Sequence, residues 1–114
     1  MDKPAGMTSH DVVARARRVL GERSIGHTGT LDPFATGLLV LLVGKGTRVA
    51  RFLDGLGKTY LATARLGQRT ATDDLTGEPV GPAHEGPLPA REEIARVLAG
   101  FLGVQAQTPP AYSA

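Results

Sequence analysis

Apolar positions fall into five patterned segments along this chain. Between Thr8 and Gly21, Val12, Val13, Ala16, Val19 and Leu20 recur at i, i+1, i+4, i+7 and i+8, the stripe of a helix laid on a core. Thr8 and Ser9 offer an N-cap, Asp11 stands in the first turn, Arg15, Arg17 and Arg18 lie toward the C-terminal half, and Gly21 can close the element. Leu38 to Val43 is an unbroken apolar run ended by Gly44. Its length predicts a strand buried on both faces rather than a short core helix. Thr47 is expected to cap a second helix, with Val49, Ala50, Phe52, Leu53 and Leu56 on its apolar side and Gly55 and Gly57 as stops.

Lys58 to Leu66 alternates, with Tyr60, Ala62, Ala64 and Leu66 on one face and Leu61, Thr63 and Arg65 on the other, and predicts a strand. Ile94, Val97, Leu98, Phe101 and Leu102 give the clearest helical spacing, over Pro89 to Gly103, with Pro89 near the start and Glu92 and Glu93 in the first turn. Two stretches have neither period. Gly26 to Gly37, GHTGTLDPFATG, reads as a loop, and so does the polar segment Gly67 to Pro89, which is long for an idle connection. Met1 to Met7 reads as a turn-rich opening, and the final TPPAYSA as extended.

Composition narrows the class. With 114 residues, 41% hydrophobic and 21% charged, the chain fits one globular domain or a piece of a larger one, and general disorder is excluded. No apolar run approaches the ~20 residues of a membrane span and no export leader opens the chain, so a soluble cytoplasmic protein is expected. The absence of cysteine removes disulfides, thiolate nucleophiles and sulfur-ligated metal sites. Net charge is +2, but residues 1–70 hold 11 Lys+Arg against 5 Asp+Glu and residues 71–114 hold 2 against 6. The basic part suits a polyanion.

Asp32 is the leading candidate for chemistry. A carboxylate in a Gly-rich loop, just before an apolar run that anchors it, is not needed for packing and can serve as base, nucleophile or ligand. An Asp-Pro pair is also a common turn former. His27 can donate a hydrogen bond or stack on a ring. Lys58 and Tyr60 share a strand face, where a phenol could stack on a base beside a cation, or simply join a core.

Other motifs fail. Gly44-Lys45-Gly46-Thr47 lacks the first glycine and the Ser/Thr of a Walker loop; Asp73 and Asp74 lack the ligand pattern of a calcium loop; His10, His27 and His84 lack metal-ligand spacing. No Ser-His-Asp triad is specified.

Four blocks in order nevertheless resemble one family, the TruB-type tRNA pseudouridine synthases. Asp2-Lys3-Pro4-Ala5-Gly6-Met7-Thr8-Ser9 is similar to its KPxGxTS segment, and Gly26-His27-Thr28-Gly29-Thr30-Leu31-Asp32-Pro33, continuing through Ala35-Thr36-Gly37, to its catalytic loop. Lys58-Thr59-Tyr60 resembles its KxY strand, in a form closer to bacterial stand-alone enzymes than to guide-RNA-dependent relatives. Pro109-Pro110-Ala111-Tyr112-Ser113-Ala114 resembles its PPxYSA segment.

The resemblance implies an α+β pseudouridine synthase fold, a mixed and mostly antiparallel sheet flanked by helices. Residues 1–114 would form only the N-terminal part of the catalytic domain. A strand before the Asp-Lys-Pro block, a Lys after Ala114, a later Arg that pairs with the catalytic carboxylate, further strands and a small RNA-binding domain would lie outside it. By the same resemblance the protein isomerises a tRNA uridine, uridine 55 of the T arm, to pseudouridine. Asp32 would be the nucleophile, attacking C1′ or C6; Tyr60 would stack under the base and take part in proton removal at C5; His27 would hold the flipped nucleotide. Lys3, Thr30, Arg48 and Lys58 would contact substrate, with Arg15 and Arg18 as further phosphate candidates. No metal, no organic cofactor, no membrane and no protein partner is implied. The alternatives are a non-catalytic RNA-binding or tRNA-folding module and a carboxylate-dependent glycosidase or nucleosidase, which would release free base.

Overall fold

The computed structural model describes residues 1–108; the PPxYSA block lies outside the described residues. The chain forms two compact units, Met1–Tyr60 and Leu61 onward.

The first unit is built on a helix whose determinants are all local. Helix α1 runs Ser9–Leu20. Thr8 is its N-cap: the Thr8 hydroxyl accepts from the Asp11 amide at 3.0 Å, and the Asp11 carboxylate accepts from the Thr8 amide at 2.9 Å and the Thr8 hydroxyl at 2.7 Å. This reciprocal box satisfies donors that a bare helix end leaves open. These bonds hold the Asp11 carboxyl below the usual carboxylate range, the Thr8 hydroxyl contributing most. At the other end Gly21 adopts φ 63°, the left-handed cap that glycine reaches without a Cβ clash.

Four short strands pair in two ladders, two of them formed by the apolar run. Strand β1, Asp2–Lys3, pairs antiparallel with β3, Gly37–Leu38; β2, Ile25–Thr28, pairs antiparallel with β4, Val40–Val43, with Ile25 opposite Val43 and Thr28 opposite Val40. The predicted run is therefore strand, but interrupted at Leu39, where one ladder gives way to the other. The Leu39 amide donates to the Met1 carbonyl at 2.8 Å and the Met1 ammonium donates to the Leu39 carbonyl at 3.0 Å. Leu39, 1% exposed, joins Val12, Val13, Ile25 and Leu42 as the buried apolar set. Burial on both faces does not hold: Leu38 and Val43 are exposed. The glycine-rich loop is also shorter than expected, Gly29–Thr36, since Gly26–Thr28 and Gly37 are recruited as ladder residues.

Beyond β4 the chain makes a 3₁₀ segment, Gly44–Val49, that runs into α2, Ala50–Leu53. Thr47 does not cap this helix. Its hydroxyl donates back to the Gly44 carbonyl at 2.9 Å within the 3₁₀ segment, the local bond with which Ser and Thr compete against capping.

In the second unit the expected strand Lys58–Leu66, which begins in the first, has no regular structure. Alternation assigns a face but does not supply a partner, and no ladder reaches this segment among the described residues. The segment read as loop instead contains a small hairpin, β5 Arg69–Thr70 against β6 Pro79–Val80. Its turn is tied by Asp74, whose carboxylate accepts from the Thr76 hydroxyl at 2.6 Å, the Thr72 hydroxyl at 2.7 Å and the Thr76 amide at 2.8 Å. These bonds lower its pKa, Thr76 first. Helix α3 forms over Arg91–Ala99 with Glu92 and Glu93 in its first turn. It stops short of Phe101 and Leu102, where Gly100 and the next two amides close tighter turns. The secondary structure agrees with an α+β class; the wider sheet implied by the resemblance is not formed by the described residues.

Candidate active site

Asp32 sits in the loop Gly29–Thr36 that leaves β2 and returns through β3. Its neighbours on both sides are fixed by the opening segment. On one side the Leu31 amide donates to Ser9 Oγ at 3.0 Å, and Ser9 Oγ donates to the Leu31 carbonyl at 3.2 Å. On the other, the Pro33 carbonyl accepts from the Gly6 amide at 2.8 Å and from Lys3 Nζ at 3.3 Å. The Asp32 carbonyl accepts from the Ala35 amide at 3.0 Å, closing a tight turn through Pro33. The carboxylate itself is exposed and accepts no hydrogen bond among the described residues. A fixed backbone thus presents an unengaged anionic oxygen pair.

Lys3 corrects a sequence expectation. It is fully buried, and its ammonium donates to the carbonyls of Met7 at 2.6 Å, Pro4 at 3.0 Å and Pro33 at 3.3 Å. Three donors on three acceptors leave none for a phosphate. Lys3 is a cross-link between the opening segment and the Asp32 loop, because a buried ammonium is tolerated only when its protons are taken up.

His27, half-buried on β2, donates from Nδ1 to the Gly29 carbonyl at 2.5 Å. Gly29 has φ 76°, and a Cβ there would stand 3.6 Å from Lys58 Cε. The Lys58 stem therefore passes beside the His27–Gly29 turn, and its ammonium donates to the Asp54 carbonyl at 3.2 Å. The structure gathers His27, Gly29 and Lys58; Thr30 is exposed on the same loop. Tyr60 is 67% exposed in the irregular segment, and it shares no hydrogen bond with this group among the described residues. Arg48, exposed on the 3₁₀ segment, borders a depression of about 300 Å³ shared with Glu22, Ser24, Lys45 and Thr47. Arg15 and Arg18 are exposed on α1. A larger open depression of about 920 Å³, among Arg65, Gln68, Arg69, His84, Glu85 and Leu88, holds none of the predicted site residues.

Ser9 and Arg17 were not singled out as site residues from sequence. Ser9 is 2% exposed and spends its hydroxyl on Leu31; Arg17 donates to the Ile25 carbonyl at 2.8 Å. A signal for Ser9 existed: Thr8 suffices as cap, so a second hydroxyl beside it has another use.

The structure thus has an exposed carboxylate on a doubly anchored glycine-rich loop, and a histidine and a lysine at the Gly29 turn where that loop begins. Residues 17–114 match the family model described as TruB family pseudouridylate synthase, N terminal domain. The chain belongs to this family, in its N-terminal domain. It is similar to the tRNA pseudouridine synthase B of Opitutus terrae, 50% identical over the whole chain and 47% of that protein's length. It is also 54% identical to that of Gloeobacter violaceus, over the whole chain and 38% of its length, and 50% identical to that of Deinococcus radiodurans, over 99% of the chain and 36% of its length. The chain spans less than half the length of these curated relatives.

Proposed function

We propose that this chain is the N-terminal part of the catalytic domain of a tRNA-uridine isomerase that forms pseudouridine at position 55 of the T arm in the cytoplasm, with Asp32 as nucleophile. The observation that carries the reading is the Asp32 loop: Leu31 and Pro33 are pinned by Ser9, Gly6 and Lys3, while the carboxylate between them is exposed. Pre-positioning of this kind is what a nucleophile requires. Membership of the family supports the same assignment.

In this reaction the C1′–N1 bond breaks, the base turns, C1′ joins C5, and the proton lost from C5 is balanced by one gained at N1. Atoms and oxidation state are conserved, so no redox partner enters. A carboxylate oxygen bonds to C1′ as N1 leaves, or adds at C6; both routes return the free carboxylate. The uridine must leave its stack to reach Asp32, which makes base flipping part of the proposal. His27 holds the flipped nucleotide, Thr30 and Lys58 contact it from the same turn, Tyr60 stacks on the base, and Arg48 meets backbone phosphate.

The reading is tested with the full-length protein and a tRNA transcript, by digesting the product to nucleosides and separating them by chromatography. Pseudouridine at one T-arm position is expected, with no free uracil. Released uracil would identify a nucleosidase, and tRNA binding without any conversion would identify a binding module.

A further inference from the structure

Ser9 stands at the start of α1, 22 positions before Leu31 in sequence, and makes two bonds to one residue. Its hydroxyl has one proton and lone pairs to accept with; the proton goes to the Leu31 carbonyl and a lone pair takes the Leu31 amide. The capping of α1 does not involve it, since Thr8 and Asp11 close that end by themselves. The residue is almost fully buried, so water does not substitute for either bond. Leu31 immediately precedes Asp32, and no other side chain among the described residues holds its peptide groups. From this geometry we infer that Ser9 is a positioning residue for catalysis: its hydroxyl sets the backbone that carries the Asp32 carboxylate, and acts on the reaction only through it. The inference rests on the proposed nucleophilic role of Asp32.

A nucleophile moved by about 1 Å can lose on the order of a hundredfold in rate without losing its substrate. The test uses the full-length enzyme under single-turnover conditions with tRNA, comparing Ser9→Ala, Ser9→Cys and Asp32→Asn. Ser9→Ala is expected to slow conversion by about 10- to 100-fold while tRNA affinity stays within about threefold, a split that general loss of folded protein does not produce. Ser9→Cys keeps the side-chain shape but bonds weakly, and its rate is expected to fall between those of Ser9→Ala and the unaltered enzyme. It decides the matter if Ser9→Ala does not fold. Ser9 variants that convert tRNA within twofold of the unaltered rate, beside an inactive Asp32→Asn, would overturn the role of Ser9 alone. Equal losses in rate and affinity would reduce Ser9 to a structural residue. An active Asp32→Asn would remove the nucleophile reading and this inference with it.

Discussion

Helices α1 and α3 carry the same kind of apolar stripe, but α1 is met by β2 whereas α3, among the described residues, buries no side chain. Val12 of α1 is 0% exposed because β2 packs against that helix, and the ladders bring Leu39 and Leu42 to the same place. Leu98 of α3 is 60% exposed, and no residue of the second unit is buried among those described. Periodicity therefore states where an element can bury surface, and the rest of the structure decides whether it does. The functional consequence is local: the loop bearing Asp32 grows out of the unit that has a core, so its backbone has something to be fixed against.

The contrast is broken most strongly by removing one core side chain. Leu39→Ala is expected to lower the stability of the 114-residue chain by about 2–5 kcal/mol in urea unfolding, through lost burial and a cavity, while Leu102→Ala on the α3 side changes it by no more than about 0.5 kcal/mol. Equal effects would mean that the two units are stabilised alike. Lys3→Met is next. It strips a donor from the Met7 and Pro4 carbonyls and removes the tie to Pro33, at about 1–3 kcal/mol measured by thermal unfolding. An unchanged melting curve would show that the ammonium is not the cross-link described.

What could be read from the sequence follows the range of the interactions. The bounds of helix α1 were legible, since its cap, its acidic first turn and its terminal glycine lie within a few residues of one another, but its apolar stripe is buried only at Val12 and Val13, while Val19 and Leu20 are exposed. The position of Asp32 in a special loop was legible too, from glycine content and the apolar run behind it. Its anchoring was not: Ser9 reaches Leu31 and Lys3 reaches Pro33 across 22 and 30 positions, and no local pattern encodes such bonds. That is why Lys3 read as a phosphate ligand. Lys58–Leu66 failed for the complementary reason, since alternation is local whereas a ladder needs a second strand. The second helix formed over Ala50–Leu53, but the cap predicted at Thr47 failed because a threonine hydroxyl has two local uses, capping forward or bonding backward.

Smaller effects than those of Leu39 and Lys3 are expected at the α1 cap. Thr8→Ala should cost about 1 kcal/mol. Because the folded Asp11 carboxyl titrates below its ordinary value, its contribution is fully present above the unfolded value of about 3.9 and is lost as pH falls through the lower folded value. Acid unfolding followed by circular dichroism should lose that component in Asp11→Asn. An unaltered acid limb would detach the carboxylate from helix stability.

The central claim is that one carboxylate, held by its neighbours and left unengaged, does the bond-making. The most direct measurement is pseudouridine formed per tRNA by the full-length enzyme with Asp32→Asn, alongside its tRNA affinity. The account predicts no isomerised nucleoside and affinity within about threefold of the unaltered protein, as expected when a reacting group is removed without a binding contact. Pseudouridine formed at the unaltered rate would contradict it.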